Sequence, residues 1–418
     1  MKNIIKREKT HTLTSIVVKA IFFLILLQLV YGAFMIATFA IPNQRIEPKV
    51  QMAKRLLKNE NSYRNFGDTG SSLDNFTDSL MLQKADETKA GIVFNAFDIQ
   101  NYARYWHGYL VILRPILYFM GYTMIRQLYA VVLTLLLVFL IILTYKKLNI
   151  FFAVALAVSL VFQRFQIMWA SMQYSNVFIV AMIASIALLY TIKKIKYQKE
   201  SLVFFFLTIG SVTNFLDLLT APLVSLGMPL ILLLCYNMMN KRSNFLKNMK
   251  TSIIASVAWA MGYSVTWGAK WIIGSIVLKR NIVTDALSAI LFRTEGNSQY
   301  PLHRSTMYLY NLKIEYSPVN LLTIFIITLV WLVTYCVLSL KIKSFFKLID
   351  SEVLSFLLIA LIPFIWYTIL AGHSEIHCWM TYRELFLLTF SYFAYLSYIY
   401  SNLLQNYHLK KQSVEVDP

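Results

Sequence analysis

The stretch LTSIVVKAIFFLILLQLVYGAFMIATFA, residues 13 to 40, is apolar along almost its whole length and carries one charge, Lys19. A helix needs about 20 apolar residues to cross the hydrocarbon core of a bilayer, and this run exceeds that length. It is too long for the apolar part of a signal peptide and lacks a small-residue cleavage pattern, so we predict a retained span. Because 58% of the chain is hydrophobic and only 14% charged, we predict an all-α polytopic membrane protein.

Further apolar runs alternate with basic clusters and predict about ten transmembrane helices. Two of the runs are short, so the count could be nine to eleven. No Pro-rich, Gly-rich or repeated segment divides the chain, and we therefore predict one membrane domain covering residues 1–418. The predicted spans are 13–40, 123–145, 149–165, 174–192, 201–216, 220–239, 251–278, 319–340, 353–370 and 384–405.

The net charge of +19 is explained by topology. Every basic cluster follows an even number of spans if the N-terminus is cytoplasmic, as the positive-inside rule requires. We therefore predict a multi-pass protein of the cell membrane with both termini in the cytoplasm, and no nucleic-acid partner. The three cysteines form no paired motif, and a disulfide framework is not expected.

Histidines, arginines and acids concentrate in the segments predicted to face outward. The two large segments are the extracytoplasmic loops 41–122 and 279–318, and the short ones are 166–173, 217–219 and 371–383. A merely solvated face needs no histidine, so this side is the predicted site of chemistry. Its polar residues are Asp74, Asp78, Arg104, His107, Asp217, Arg293, Glu295, His303, Arg304, His373, Glu375, His377 and Arg383.

The first outer loop contains two acids one helical turn apart. In LDNFTDSLMLQKA, residues 73 to 85, Asp74 and Asp78 would share one face of a helix. Such a pair indicates either a functional carboxylate, with or without a cation between the two, or a helix cap and two solvated acids. Upstream, PKVQMAKRLLKN, residues 48 to 59, predicts an amphipathic helix at the membrane interface.

The end of this loop combines aromatic and basic residues. An apolar stretch of about twelve residues before Gly121 is too short to span and predicts an interfacial or re-entrant helix. Arg104, His107 and Arg114 are suited to a phosphate at the membrane surface, although lipid headgroups would satisfy the arginines equally well.

Near the C-terminus, HSEIHCWMTYRE spaces His373 and His377 like two metal ligands, but HExxH is absent. Hydrogen bonds to a phosphate or a sugar, with Arg383 nearby, explain the same residues, and no metal site is predicted. Asp217 is either the partner of an arginine or part of the substrate site. Arg293 and Glu295 are predicted to form a wall or lid.

The chain has no nucleotide-binding motif, so group transfer on the outer face would need a donor already in the membrane, such as a polyprenyl-phosphate sugar. The organisation of the chain resembles that of the GT-C superfamily of membrane glycosyltransferases. The shared features are the number of spans, the long first loop with its acids and the short apolar stretch that follows it. Three segments are also similar to parts of uncharacterised membrane proteins of low-GC Gram-positive bacteria, namely YARYWHGYLVILRP (102–115), TNFLDLLTAPLVSLG (213–227) and HSEIHCWMTYR (373–383). This similarity suggests a function that involves cell-envelope polysaccharides.

The resemblance implies transfer of a sugar from a polyprenyl-phosphate donor to a cell-envelope glycan. Asp78 or Asp74 would be the general base. Arg104, His107, Arg114 and Arg383 would bind the donor phosphate, and His373, His377, Asp217, Arg293 and Glu295 would contact substrate. Some superfamily members use a divalent cation, which this sequence neither requires nor excludes. In the superfamily the acid often lies close to the first span, whereas Asp74 is more than thirty residues beyond it.

Two other functions fit the same compartment. A polysaccharide polymerase or ligase would also need outer arginines, but such proteins more often keep their largest outer loop late in the chain. A transporter or flippase of lipid-linked glycans would be expected to show intramembrane charges and an internal repeat. The predicted spans contain one such charge well inside, Lys270, and no evident repeat.

Overall fold

A computed structural model describes residues 2–86, 91–98, 102–197, 199–240, 244–342 and 352–416. This part of the chain is almost entirely α-helical and contains no β-strand, only an isolated bridge between Gly296 and Pro301. The predicted all-α class is confirmed.

Within these described ranges, twenty α-helices follow one another. They are α1 (Lys2–Phe39), α2 (Glu47–Glu60), α3 (Asn75–Asp86), α4 (Ile92–Asp98), α5 (Leu110–Phe119), α6 (Tyr122–Lys147), α7 (Ile150–Phe162), α8 (Phe165–Met168), α9 (Met172–Tyr197), α10 (Lys199–Leu216), α11 (Leu223–Met239), α12 (Phe245–Leu278), α13 (Ile282–Glu295), α14 (Arg304–Glu315), α15 (Pro318–Ile342), α16 (Leu354–Ala360), α17 (Ile362–Ile369), α18 (Ala371–Ile376), α19 (Cys378–Thr381) and α20 (Phe386–Val416).

Among the described residues, four helices are long and apolar enough to cross a membrane on their own. They are Thr14–Phe39 in α1, Tyr122–Lys147 in α6, Met172–Ile192 in α9 and Pro318–Lys341 in α15. These long apolar helices indicate a membrane protein. The sequence predicted about ten spans. The six predicted spans that are not among these four helices differ in length or composition from a helix that crosses a membrane on its own.

Those six segments are helical, and four of them depart from the length or composition of a single span for a reason visible in the helix itself. Helix α7 has 13 residues and α11 has 17, less than the thickness of a bilayer core requires. The run predicted at 353–370 is divided at Leu361 into α16 and α17, with Pro363 in the first turn of the second helix. Helix α12 is long enough, but Lys270 and many small polar and aromatic residues interrupt its apolar surface.

The main core lies where α9, α11 and α20 pack together, with α7, α10 and α12 around them. Helices α10 and α12 approach closely because each presents a glycine at the crossing. A Cβ on Gly210 would collide with the carbonyl of Trp259, and one on Gly262 with the carbonyl of Leu207. Small residues at such crossings let two backbones approach, which is how helices associate in membranes.

The five segments predicted to face outward contact one another at one end of the helices. Gly108 N donates to Phe215 O over 2.8 Å, which joins the first loop to the end of α10. The hydroxyl of Tyr382 donates to Gly70 O over 2.9 Å, which joins the first loop to the segment before α20. Residues far apart in the sequence therefore come together around a single cavity.

Candidate functional site

The cavity at this end of the helices has a volume of about 460 Å³. Its walls come from α3, the 102–109 segment, the N-terminus of α9, the end of α13 and the 373–380 segment. Five of the predicted site residues line it, namely Asp74, His107, Arg293, His373 and His377, together with Tyr63, Phe76, Lys84, Tyr102, Tyr105, Tyr109, Gln173 and Trp379. Two other cavities, of about 390 and 270 Å³, have almost wholly apolar linings and offer no comparable chemistry.

Asp74 is the acid in the wall of the cavity. It precedes α3 and caps it, because its Oδ1 accepts a hydrogen bond from the amide of Thr77 at 2.9 Å. Burial raises the pKa of its carboxyl to about 6, against the opposing effect of the Thr77 hydrogen bonds. The sequence left two roles open for Asp74, a helix cap and a functional carboxylate. Its position is compatible with both. A base with a pKa near 6 is ionised at neutral pH and still able to accept a proton.

Asp78, one turn later, does not line the cavity. It is completely buried, and its carboxylate accepts hydrogen bonds from the hydroxyl of Tyr122 at 2.6 Å and the amides of Met172 at 2.9 Å and Gln173 at 3.2 Å. These partners make Asp78 the N-terminal cap of α9, where a helix dipole favours negative charge. Burial nevertheless raises its pKa.

Helix α3 presents one face to the cavity along its length. Asp74, Thr77, Met81 and Lys84 are spaced by three or four residues, which is the helical repeat, and all line the wall. Ten residues at 1.5 Å each separate Asp74 from Lys84 by about 15 Å along the axis. The cavity therefore has an acidic end and a basic end. Sequence reasoning missed Lys84, although its spacing from Asp74 was a usable signal.

The basic end is built on stacked tyrosines. The rings of Tyr102 and Tyr105 stack with centroids 5.4 Å apart. Lys84 Nζ lies 4.8 Å from the Tyr102 ring, and Arg293 donates a hydrogen bond to the Tyr105 hydroxyl. An aromatic face attracts a cation placed over it through the quadrupole of the ring. Lys84 and Arg293 thus flank one aromatic stack inside the cavity.

His107 lies beside this stack in an unusual backbone conformation. Its φ of 53° is left-handed, which costs a residue other than glycine of order 1 kcal/mol or more and is common at functional sites. Its Nε2 donates to Tyr102 O at 3.1 Å, which leaves Nδ1 to accept from the Tyr109 hydroxyl at 3.2 Å. Burial, then the charge of Lys84, lowers its pKa well below the usual value, so the ring is neutral.

His373 and His377 form a pair on the opposite wall, with ring centroids 4.8 Å apart. His373 Nε2 donates to Leu219 O at 3.0 Å. Burial lowers the pKa of His377 to about 4, and the positive charge of Arg293 lowers it further. Burial also lowers that of His373 well below its usual value. Both rings are therefore neutral at pH 7 and offer hydrogen bonds without charge.

Two predicted phosphate binders lie outside the lining of the cavity and have protein partners. Arg104 pairs with Asp285 at 3.2 Å and stacks on Tyr102. Arg114 is fully buried and donates to Ile41 O at 2.8 Å and to Thr38 O at 3.2 Å, carbonyls at the end of α1. Arg114 therefore fixes the end of a helix, and its geometry does not support phosphate binding.

The remaining predicted residues also lie outside the lining. Arg383 is fully buried, donates to Gly70 O at 3.1 Å and packs 4.0 Å from the Tyr174 ring. Asp217 accepts from the amide of Thr220 at 3.0 Å and shapes the turn before α11, and burial raises its pKa to about 6. Glu295 is exposed at the end of α13. None of the three reaches the cavity wall described here.

Within the described residues, no three His, Cys, Asp or Glu side chains come together as metal ligands. Comparison with protein-family models, with curated proteins and with solved structures finds no significant match. The chemistry of the cavity is therefore the basis for any functional conclusion.

Proposed function

We propose that the protein is a membrane glycosyltransferase that moves a sugar from a polyprenyl-phosphate donor to a hydroxyl of a cell-envelope glycan. The observation that carries this proposal is the cavity in which one buried acid, Asp74, faces two cations, Lys84 and Arg293, among neutral histidines and tyrosines. A GT-C-type organisation, with a long first outer loop that supplies the acid, is part of the proposal.

The reaction is a single displacement. Asp74 removes the proton of the acceptor hydroxyl, and the oxygen attacks the anomeric carbon of the donor sugar. The bond from that carbon to the phosphate oxygen breaks, and the polyprenyl phosphate leaves with the electron pair. Lys84 and Arg293 stabilise the growing negative charge on the phosphate. Asp74 is the one carboxylate in the described lining, which favours direct inversion over a covalent glycosyl-enzyme.

The dimensions of the cavity suit this arrangement. Asp74 must be about 3 Å from the attacking hydroxyl, and the sugar ring then separates that hydroxyl from the phosphate. A rise of about 15 Å along α3 separates Asp74 from Lys84, whose ammonium lies over the Tyr102 ring. The base and the phosphate-binding cations therefore stand on opposite sides of one bound sugar.

Membrane placement completes the proposal. We place the cavity on the outer face of the membrane, with both termini in the cytoplasm. We propose about ten crossings. Four of the helices, α1, α6, α9 and α15, are long and apolar enough to cross a membrane on their own. The positive-inside distribution supports this orientation. The shorter helices would cross as packed, tilted or paired elements, because the core of the helical body shields their polar groups.

The contacts of Lys270 argue against a transport function, which would use intramembrane charges along a path. Its ammonium donates to Phe97 O at 2.8 Å, at the C-terminal end of α4, and lies over the Phe97 and Trp106 rings. A lysine that caps a helix end in this way is explained as a structural link between α4 and α12.

The test is release of free polyprenyl phosphate by the purified protein in nanodiscs, given polyprenyl-phosphate sugars and envelope glycan. Wild type should release it, Asp74→Asn should lose at least 99% of the rate, and Asp285→Asn should retain it. Absence of release with every donor, or full activity in Asp74→Asn, would overturn the proposal.

A further inference from the structure

The acidic end of the cavity opens through a rim of aromatic side chains. Tyr63 is 51% exposed and Phe76 is 51% exposed, and both line the cavity beside Trp379. The ring of Tyr63 lies 5.2 Å from that of Trp379 in an edge-on arrangement and 6.4 Å from that of Phe76. These three side chains, called the aromatic rim below, form one contiguous surface next to Asp74.

The surroundings of the rim are polar and solvated. Tyr63 lies in the segment 61–69, every residue of which is exposed, and Asn61, Arg64 and Asn65 are its polar neighbours. The exposed turn 297–301 lies on another side, since its Tyr300 phenol is close enough to influence that of Tyr63 electrostatically. Hydrocarbon would leave these backbone and side-chain groups without hydrogen bonds. The rim therefore faces water and not the interior of a lipid bilayer.

We propose that the aromatic rim is the acceptor-binding site, where pyranose rings of a soluble glycan chain stack on Tyr63 and Trp379 and present a hydroxyl to Asp74. This inference rests on the proposed function in taking a glycan as the acceptor.

The chemistry of a pyranose matches this surface. One face of the ring carries mostly C–H bonds and buries well against an aromatic ring, while its hydroxyls stay in water or bond to polar neighbours. Gln173 lies in the same wall and supplies an amide that can bond such hydroxyls. Lys84 lies at the other end of α3 from Asp74, so a neutral sugar chain at the rim does not compete with a donor phosphate at Lys84.

The experiment measures glycan binding without any donor. Fluorescently labelled fragments, released from the envelope of the producing cells, are titrated by anisotropy against the full chain in nanodiscs. We expect wild type to bind, and Tyr63→Ala and Trp379→Phe each to weaken binding by about tenfold. Phe66→Ala is the matched control, because Phe66 is a 50%-exposed aromatic residue in the same loop that does not line the cavity.

The outcomes separate this inference from the proposed function. Asp74→Asn should bind the fragments as wild type does, even though it releases no polyprenyl phosphate. Fragment binding without donor turnover in wild type would support the rim and overturn the proposed reaction. Absence of binding, unchanged affinity in both rim variants, or rim-dependent binding of farnesyl phosphate in place of the glycan would overturn the inference.

Discussion

The carboxylate of Asp78 accepts a hydrogen bond from the amide of Met172, 2.9 Å away, across a sequence separation of 94 residues. This bond fixes the first turn of α9, a helix long and apolar enough to cross a membrane, to the segment that carries the candidate base. A buried acid with several donors is therefore a structural element here, and its removal should affect the fold before it affects chemistry.

Asp78→Asn should destabilise the protein by about 2–3 kcal/mol, because an amide group cannot accept from all the donors that surround the carboxylate. The check is the thermal unfolding midpoint of the purified variant in nanodiscs. Asp285→Asn, which removes an exposed carboxylate paired with Arg104, should change stability by less than about 1 kcal/mol. Equal midpoints for the Asp78→Asn variant and wild type would contradict the capping role.

Asp74→Asn should separate stability from activity. The pKa of Asp74 is raised from 3.8 to about 6, so the folded state favours the protonated form. Its contribution to stability is full below about 3.8 and is lost as the pH rises through about 6. Asparagine resembles the protonated acid and is an equally good cap, so the variant should be more stable than wild type by about 3 kcal/mol at pH 8.

The measurement is the thermal unfolding midpoint of Asp74→Asn and of wild type at several pH values. The difference between the two midpoints should shrink as the pH falls through 6. A variant that is less stable than wild type at pH 8 would show that ionised Asp74 is stabilised by contacts stronger than its Thr77 cap.

The pH profile of the transfer should have one acid limb. Since the base must be ionised, kcat/KM for polyprenyl phosphate release should fall about tenfold per pH unit below about 6. His377, with a pKa lowered to about 4, should remain neutral over this range and add no second limb. A limb centred near 7 would point to a different base.

Lys84→Met should raise the KM for the donor about tenfold to a hundredfold, because a charge-assisted hydrogen bond to phosphate contributes about 1.5–3 kcal/mol. Arg293→Gln should have a similar effect. Lys58→Met, at the end of α2 and outside the cavity lining, is the matched control and should leave the KM unchanged. Loss of kcat with an unchanged KM in the Lys84 variant would confine its role to the growing charge in the transition state, and unchanged values of both would overturn that role.

Arg114→Met should lower stability and yield without changing the KM for the donor. Its guanidinium donates to the carbonyls of Thr38 and Ile41 at the end of α1, and a partly buried Ile41 carbonyl left without this donor would cost about 1–3 kcal/mol. The measurement is the unfolding midpoint together with donor kinetics of the folded fraction. A raised KM at normal stability would restore the phosphate-binding role that the sequence suggested.

Much of the helical framework could be predicted from local composition. The apolar runs that became α1, α6, α9 and α15 are recognisable because a helix that crosses lipid must be apolar over its whole length. The same rule predicted about ten spans, of which these four helices meet the length and composition of a span on their own. Helices such as α11 are buried among other helices, so their apolar residues face protein and their length need not match the bilayer.

The sequence by itself singled out the segments that carry the candidate site, because acids, histidines and arginines in a membrane protein are costly unless they have a role. It also identified Asp74 and Asp78 as a pair on one helical face. It could not tell them apart, since both lie in the same helix-forming stretch.

Only the tertiary structure decided that Asp74 lines the cavity, that Asp78 holds α9 and that Lys84 joins Arg293 at the basic end. The physical reason is that burial and hydrogen-bond partners set the role of a carboxylate or a cation. Those partners come from segments distant in the sequence, such as Met172, 94 residues from Asp78, and local spacing carries no information about them.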